Sequence, residues 1–224
     1  MSKVLGVLGG MGPAATLDFL AKLQAATPVS REQDHLRVLV DINPKVPDRN
    51  LEGSDPGPVL AAMAAGLRDA GAEVLAIACN TAHAYAEDVR ASGLPLIDML
   101  KSAGLAARTQ GANVVGVLGT SLALGLYRER FAALGLEVAT LDDHEQVEFM
   151  ALLYRIKRGE TGEASRDVMA ALAHRLIDKG AQAVVAGCTE VPLVLSQDDL
   201  SAPFLDATQT LAARCVEICR ADEV

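Results

Sequence analysis

Tryptophan is absent from this 224-residue chain, and Phe, Trp and Tyr together make up only 3% of it. Hydrophobic residues nevertheless reach 50%, so the core must be aliphatic, built from Ala, Val and Leu in the manner of close helix-on-sheet packing. No run of Lys and Arg occurs, and 20 basic residues face 29 acidic ones for a net charge of -9. That balance argues against a nucleic-acid partner, because a phosphate backbone calls for a concentrated basic patch. No apolar run approaches the ~18 residues that a membrane span needs, and the start MSKVLGVLGGMGP lacks the apolar stretch and cleavage site of a secretory signal. The expectation is a soluble, cytoplasmic protein with no membrane partner. Cysteine is sparse as well. Cys79, Cys188, Cys215 and Cys219 form no CxxC and no Cys/His spacing suited to zinc, so in a reducing cytosol they read as free thiols with no metal.

What is present is a duplication. VLGVLGG at 4–10 resembles VVGVLGT at 114–120, LRDAGAEVLAIACNT at 67–81 resembles LIDKGAQAVVAGCTE at 176–190, and LPLID at 94–98 resembles APFLD at 202–206. The matched segments lie 110, 109 and 108 positions apart, in the same order. Each half reads as strand, helix, strand, helix, Gly-Ala, apolar strand, Cys, helix and short strand. Short apolar runs alternating with helical periodicity are the pattern of a parallel sheet with crossover helices, so the chain reads as two similar α/β halves.

Strands are expected at 3–8, 36–42, 74–78 and 96–97 in the first half. Their counterparts are 113–118, 137–140, 183–186 and 204–205. Helices are expected at 13–26, 59–70 and 143–157, the last opened by a capping box of Asp142 and Glu145. The segment 43–58 holds Pro44, Pro47, Pro56 and Pro58 among Asp, Asn and Gly, too polar and stiff for a core element and long enough to cover a cleft.

Ligands of open parallel sheets collect beyond the carboxyl ends of the strands, and Cys79 and Cys188 both fall there. A buried cysteine at a strand end is ordinarily a small hydrophobe. The repeat changes that reading, because it places one thiol at the same position of each half and at the start of a helix, whose positive end favours thiolate. A pair so placed suits inversion at a carbon acid, one thiolate removing the α-proton from one face while one thiol supplies a proton to the other.

LGGMGPAAT at 8–16, NPKVPDRN at 43–50, CNTAH at 79–83, GT at 119–120 and GCTE at 187–190 resemble, in order and across nearly the whole chain, the aspartate/glutamate racemase family. Its aspartate racemase branch is the more similar one, since Glu190 follows the second Cys where the glutamate branch usually carries His. The resemblance implies two Rossmann-like lobes with parallel sheets related by a pseudo-two-fold axis and an active site in the cleft between them. It also implies a C-terminal helix returning to the first lobe, so the domains expected are 1–98 with 207–224, and 99–206. By resemblance Cys79 and Cys188 are the acid/base thiols, acting without pyridoxal phosphate or metal, in a protein that commonly forms a homodimer. Asn80, Thr81, Thr120 and Thr189 match the polar positions around the substrate's α-carboxylate and amine, although Thr81 and Thr189 would serve equally as helix N-caps. Arg49 matches the clamp on a distal carboxylate, for which a planar guanidinium is suited. Lys157 matches a second cation reaching that group, with one residue more between it and Cys188 than in the family pattern. Met11 and Gly10 shape the cleft wall, Glu190 positions Cys188 or the substrate amine, and His83 stands four residues from Cys79, where it either tunes the thiol or packs. Asp98 and Asp206 read as N-caps, and Cys215 and Cys219 as core.

Two other readings compete. Gly10-Met11-Gly12-Pro13-Ala14-Ala15 satisfies a GxGxxA dinucleotide pattern, but the acidic residue expected about 20 positions on is missing, Asp41 coming too late. A non-catalytic two-lobed amino-acid binder would use the same repeat and carboxylate sites, yet would need no pair of thiols.

Overall fold

The structure, a computed structural model, describes residues 2–221. They fall into two compact units, 2–99 with 208–221 and 100–207. The first holds β1 (Leu5–Gly9), α1 (Pro13–Ala26), β2 (Val38–Ile42), α2 (Gly57–Asp69), β3 (Val74–Ile77), α3 (Ala86–Arg90) and β4 (Leu96–Ile97). The second holds α4 (Met99–Thr109), β5 (Val114–Val117), α5 (Ser121–Ala132), β6 (Glu137–Ala139), α6 (Asp143–Lys157), α7 (Glu163–Asp178), β7 (Ala183–Ala186) and β8 (Phe204–Asp206). Helix α8 (Ala207–Arg220) closes the chain and belongs to the first unit. Each unit is built on one four-stranded parallel sheet, in the orders β2-β1-β3-β4 and β6-β5-β7-β8. The two orders are the same once the halves are aligned, so the duplication seen in the sequence is a duplication of topology.

Strands β1, β3 and β7 are buried throughout and β5 in all but its first residue, as a parallel sheet covered on both faces requires. Gly6 in β1 and Gly116 in β5 explain how tightly the cover fits. A Cβ on Gly6 would lie 2.8 Å from the Cβ of Ala72 and 3.3 Å from that of Leu67, and one on Gly116 would lie 2.9 Å from Leu176 and 3.1 Å from Ala181. The two glycines thus make the same close approach to the same helix end in each half. Both helices stop alike, with Ala72 N–H donating to Leu67 O (3.0 Å) and Ala181 N–H to Leu176 O (3.1 Å) around Gly71 and Gly180 at positive φ.

Helix α1 has the bounds expected, and so does α6, whose Asp142–Glu145 capping box is fully formed. The first strand starts later than residue 3 because Lys3 N–H donates to Cys219 O of α8 (2.8 Å) and Val4 N–H to the Glu73 carboxylate (2.8 Å). One local expectation fails. The segments after Cys79 and Cys188 are not regular helices but 3₁₀ turns, Thr81–Tyr85 and Val191–Leu193, the latter carrying Pro192. A turn this short sums few peptide dipoles, so a helix end does not supply the thiolate-favouring field at either sulfur.

Candidate active site

In the first unit, β1, β2 and β3 run parallel, so the loops that follow them share one edge of the sheet. Gly10 turns the chain out of β1 at φ +93°, where a Cβ would lie 2.4 Å from the backbone of Asn43, so only glycine fits this approach. Thr16 ties the turn down. Its hydroxyl accepts from Gly10 N–H (2.9 Å) and donates to Gly12 O (3.0 Å), a buried fastener that the sequence reading quoted in a motif without assigning it a task. Met11, Val46 of the proline-rich loop and Cys79 then pack in one apolar cluster. Arg49 is held across these loops, donating from Nη2 to Met11 O (3.2 Å) and from Nη1 to Pro47 O (3.0 Å). Its Nε is buried without a protein acceptor, which leaves a donor suited to an anionic oxygen.

Cys79 follows β3 and is 4% exposed. Asn80, Thr81 and His83 behind it are buried as well. The His83 ring bridges two backbone groups, Nδ1 meeting Cys79 O at 2.9 Å and Nε2 meeting Met99 N–H at 3.2 Å. Because Nε2 accepts, the proton sits on Nδ1 and is donated to the Cys79 carbonyl. The imidazole therefore anchors the backbone of the Cys79 turn, and these contacts are to its carbonyl, not its sulfur.

In the second unit the equivalent edge carries Gly119-Thr120 after β5 and Gly187-Cys188 after β7. Thr120 caps α5, accepting from Ala123 N–H (3.3 Å), and Gln146 of α6 donates to Gly119 O (2.9 Å), a support absent from the sequence reading. Thr81 and Thr189 do not act as N-caps, since the residues at those cap positions are Asn80 and Glu190. Cys188, 6% exposed, donates from Sγ to Glu190 Oε2 at 3.0 Å, and the Thr189 hydroxyl donates to the same oxygen at 3.3 Å. Lys157, at the end of α6, forms an ion pair with the other oxygen, Oε1. The carboxylate is buried, so both of its oxygens are held by protein groups in a region of weakened screening. Lys157 thereby has a partner within the protein that the expected role toward a substrate carboxylate did not include.

Cys215 and Cys219 differ in kind. Both are fully buried on α8, and burial pushes the Cys215 thiol up strongly and that of Cys219 to about 11. Such thiols stay protonated at neutral pH. Among the described residues no cluster of three or more His, Cys, Asp or Glu is arranged to hold a metal ion, and no helix is long and apolar enough to cross a membrane.

Residues 8–215 match the family model described as Asp/Glu/Hydantoin racemase. The chain belongs to this family. It is 25% identical over 222 residues to the broad specificity amino-acid racemase RacX of Bacillus subtilis (strain 168), covering 95% of this chain and 96% of that one. Its fold is similar to that of an aspartate racemase homologue from Pyrococcus horikoshii OT3, at TM-score 0.80 and 25% identity, with 98% and 99% of the two chains covered. Aspartate racemase of Picrophilus torridus superposes at TM-score 0.84 and 24% identity over 96% of this chain and 93% of that one. Racemases of this family are isomerases acting on small amino-acid substrates, and the two four-stranded parallel sheets are those of the two-lobed racemase fold.

Proposed function

We propose that this protein interconverts L- and D-aspartate without pyridoxal phosphate or metal, by a two-base mechanism in which Cys79 and Cys188 are the acid/base groups. The observation that carries the reading is the placement of the two cysteines: each is buried and follows the third strand of an identically ordered parallel sheet. A thiolate takes the α-proton from one face of Cα while a thiol delivers its proton to the other. Asn80, Thr81, Thr120 and Thr189 offer small polar groups for the α-carboxylate and amine. Their positions at strand ends suit the extra negative charge that grows on the carboxylate as the proton leaves.

Selection of a dicarboxylate rests on Arg49, whose buried Nε has no protein acceptor and whose other nitrogens are pinned to backbone carbonyls. A cation pre-positioned in this way loses little freedom when it meets a carboxylate. Glutamate is a second substrate of the same chemistry, one methylene longer, a difference worth only ~1 to 3 kcal/mol. The protein acts in the cytoplasm as a homodimer. The exposed Val40 and Ile42, on one face of edge strand β2, offer apolar surface for a second copy.

The test is chiral chromatography of both enantiomers of Asp, Glu, Asn, Ser and Ala incubated with the purified protein, with and without EDTA or added pyridoxal phosphate. Aspartate racemised fastest, unaffected by either addition, is the expected result. Equal rates on neutral amino acids would replace the aspartate assignment by broad specificity, and no racemisation of any of them would remove the reading. Light scattering of the same preparation reads the dimer.

A further inference from the structure

We infer that Glu190 is a positioning residue that holds Cys188 as a thiol, with Lys157 as its counter-ion, so that the two reactive cysteines enter the reaction in opposite protonation states. The inference deepens the racemase reading and rests on it for its meaning in catalysis. Its geometry is that of a single cluster. Glu190 is 2% exposed; its Oε2 accepts from Cys188 Sγ at 3.0 Å and from the Thr189 hydroxyl at 3.3 Å, and its Oε1 accepts from the Lys157 ammonium. A carboxylate only accepts, so the sulfur facing it carries the proton. Removing that proton would set a thiolate 3.0 Å from a carboxylate in a buried site, with the Lys157 ammonium on the carboxylate's other oxygen.

Glu190, from the same turn, meets Cys188 directly, and Lys157, the last residue of α6, pairs with that carboxylate from its other side. In the core of this unit Cys188 belongs to an apolar cluster that also holds Leu118 and Val191. The first half has no corresponding carboxylate, because the repeat places Thr81 where the second half has Glu190. Asymmetry between the two thiols is therefore written into the position two residues after each cysteine, neutral in the first half and acidic in the second.

In the reaction this assigns the first direction of proton flow. The Cys79 thiolate takes the Cα proton and forms its S–H bond; the S–H bond of Cys188 breaks, its proton joins Cα, and the electron pair stays on sulfur. After product leaves, repulsion between the Cys188 thiolate and Glu190 favours recovery of a proton from solvent at Cys188, while Cys79 returns its proton to solvent. Because the two enantiomers are equal in free energy, the asymmetry leaves the two values of kcat/KM equal and appears in the separate kcat and KM of each direction.

The experiment is a pH titration by NMR of the full chain carrying carbon-13 at the cysteine β-carbons, a signal that follows thiol ionisation without a reagent having to reach the sulfur. Signals are assigned with Cys79→Ser and Cys188→Ser. In wild type Cys188 is expected to ionise at higher pH than Cys79. Glu190→Gln is expected to lower the Cys188 midpoint by about one unit or more and to leave Cys79 in place, and Glu190→Asp to restore most of the difference. Should Glu190→Gln be poorly folded because Lys157 is left without its anion, the charge-neutral double variant Glu190→Gln/Lys157→Gln carries the same expected direction. An unchanged Cys188 midpoint in a folded variant, or an equal shift at both cysteines, overturns the inference. None of these signals requires turnover, so absence of racemase activity would remove the functional reading while leaving this result to be judged separately.

Discussion

The turns that follow β3 and β7 descend from one repeated segment, yet they surround their cysteines differently. Cys79 is followed by the neutral Asn80 and Thr81, and its backbone is anchored by the His83 ring, whereas Cys188 donates its proton to a buried carboxylate tied to a lysine. The backbone frame is shared down to the glycine under each helix end, Gly6 in one half and Gly116 in the other. A duplicated scaffold thus fixes where two sulfurs sit, and single side chains beside them set what each does. A two-base reaction needs that division, since two thiols or two thiolates could not serve as acid and base at once.

The largest expected effect comes from removing either sulfur. Cys79→Ala and Cys188→Ala should each lower racemisation by roughly 10²-fold to 10⁴-fold or beyond, the range in which general acid or base groups contribute. Chiral chromatography checks the loss, and full activity in either variant would end the comparison. Next is Arg49→Ala, which should cut kcat/KM for aspartate by about 10²-fold, because the substrate's second carboxylate loses a charge-assisted partner in a desolvated place. Turnover of alanine should fall far less; equal losses for the two substrates would make Arg49 a structural brace for the Met11 turn. Glu190→Gln should lower kcat by roughly 10-fold and bring the separate kcat and KM values of the two directions closer together, since it acts on a sulfur rather than on the substrate.

Two smaller effects probe the frame. Gly6→Ala and Gly116→Ala should each destabilise by about 1 to 3 kcal/mol in denaturant unfolding, from overpacking against the same helix end. A large difference between them would show that the halves are packed less alike than their topology. The acid limb of stability should lean on the second unit. There Lys179, the Asp142 backbone N–H and Arg175 hold Glu145 below the usual carboxylate range, and hydrogen bonds from the Ser196 backbone and from Arg166 do so for Asp199. A carboxyl whose folded pKa is depressed contributes stability that is complete above its unfolded value, near 4.5 for Glu145, and is lost as pH falls through the folded value. Glu145→Gln should therefore flatten the decline in thermal stability below about pH 4.5, measured by circular dichroism melts.

Much of this was legible in the sequence because burial on both sheet faces writes continuous apolar runs, and because duplication repeats them at one spacing. The strand positions, the two parallel sheets and the two cysteine positions follow from that. The capping box at Asp142 and Glu145 was equally plain, being a local pattern of four residues. Other features depend on contacts that no spacing encodes. The 3₁₀ turns after Cys79 and Cys188 look helical by composition, and the packed chain shows that the first passes into α3 at Tyr85 while the second is only the short Val191–Leu193 turn around Pro192. His83 reads as a neighbour of a thiol because it is four residues away, yet its ring is taken up by Cys79 O and Met99 N–H. The pairing of Lys157 with Glu190 spans 33 residues and joins a helix end to a turn, so the sequence alone assigns Lys157 to a substrate carboxylate and leaves Glu190 between Cys188 and the substrate amine.

The central claim is that two thiols in opposite protonation states act on opposite faces of one carbon. It is tested most directly by the wild-type protein turning over a single enantiomer of aspartate in deuterium oxide, with both enantiomers separated at early times and weighed by mass spectrometry. The account predicts deuterium at Cα of the product enantiomer and almost none in the recovered substrate, because one sulfur takes the original hydrogen and the other delivers a solvent-derived one. Deuterium appearing equally fast in recovered substrate and product would mean that one base serves both faces, and would contradict it.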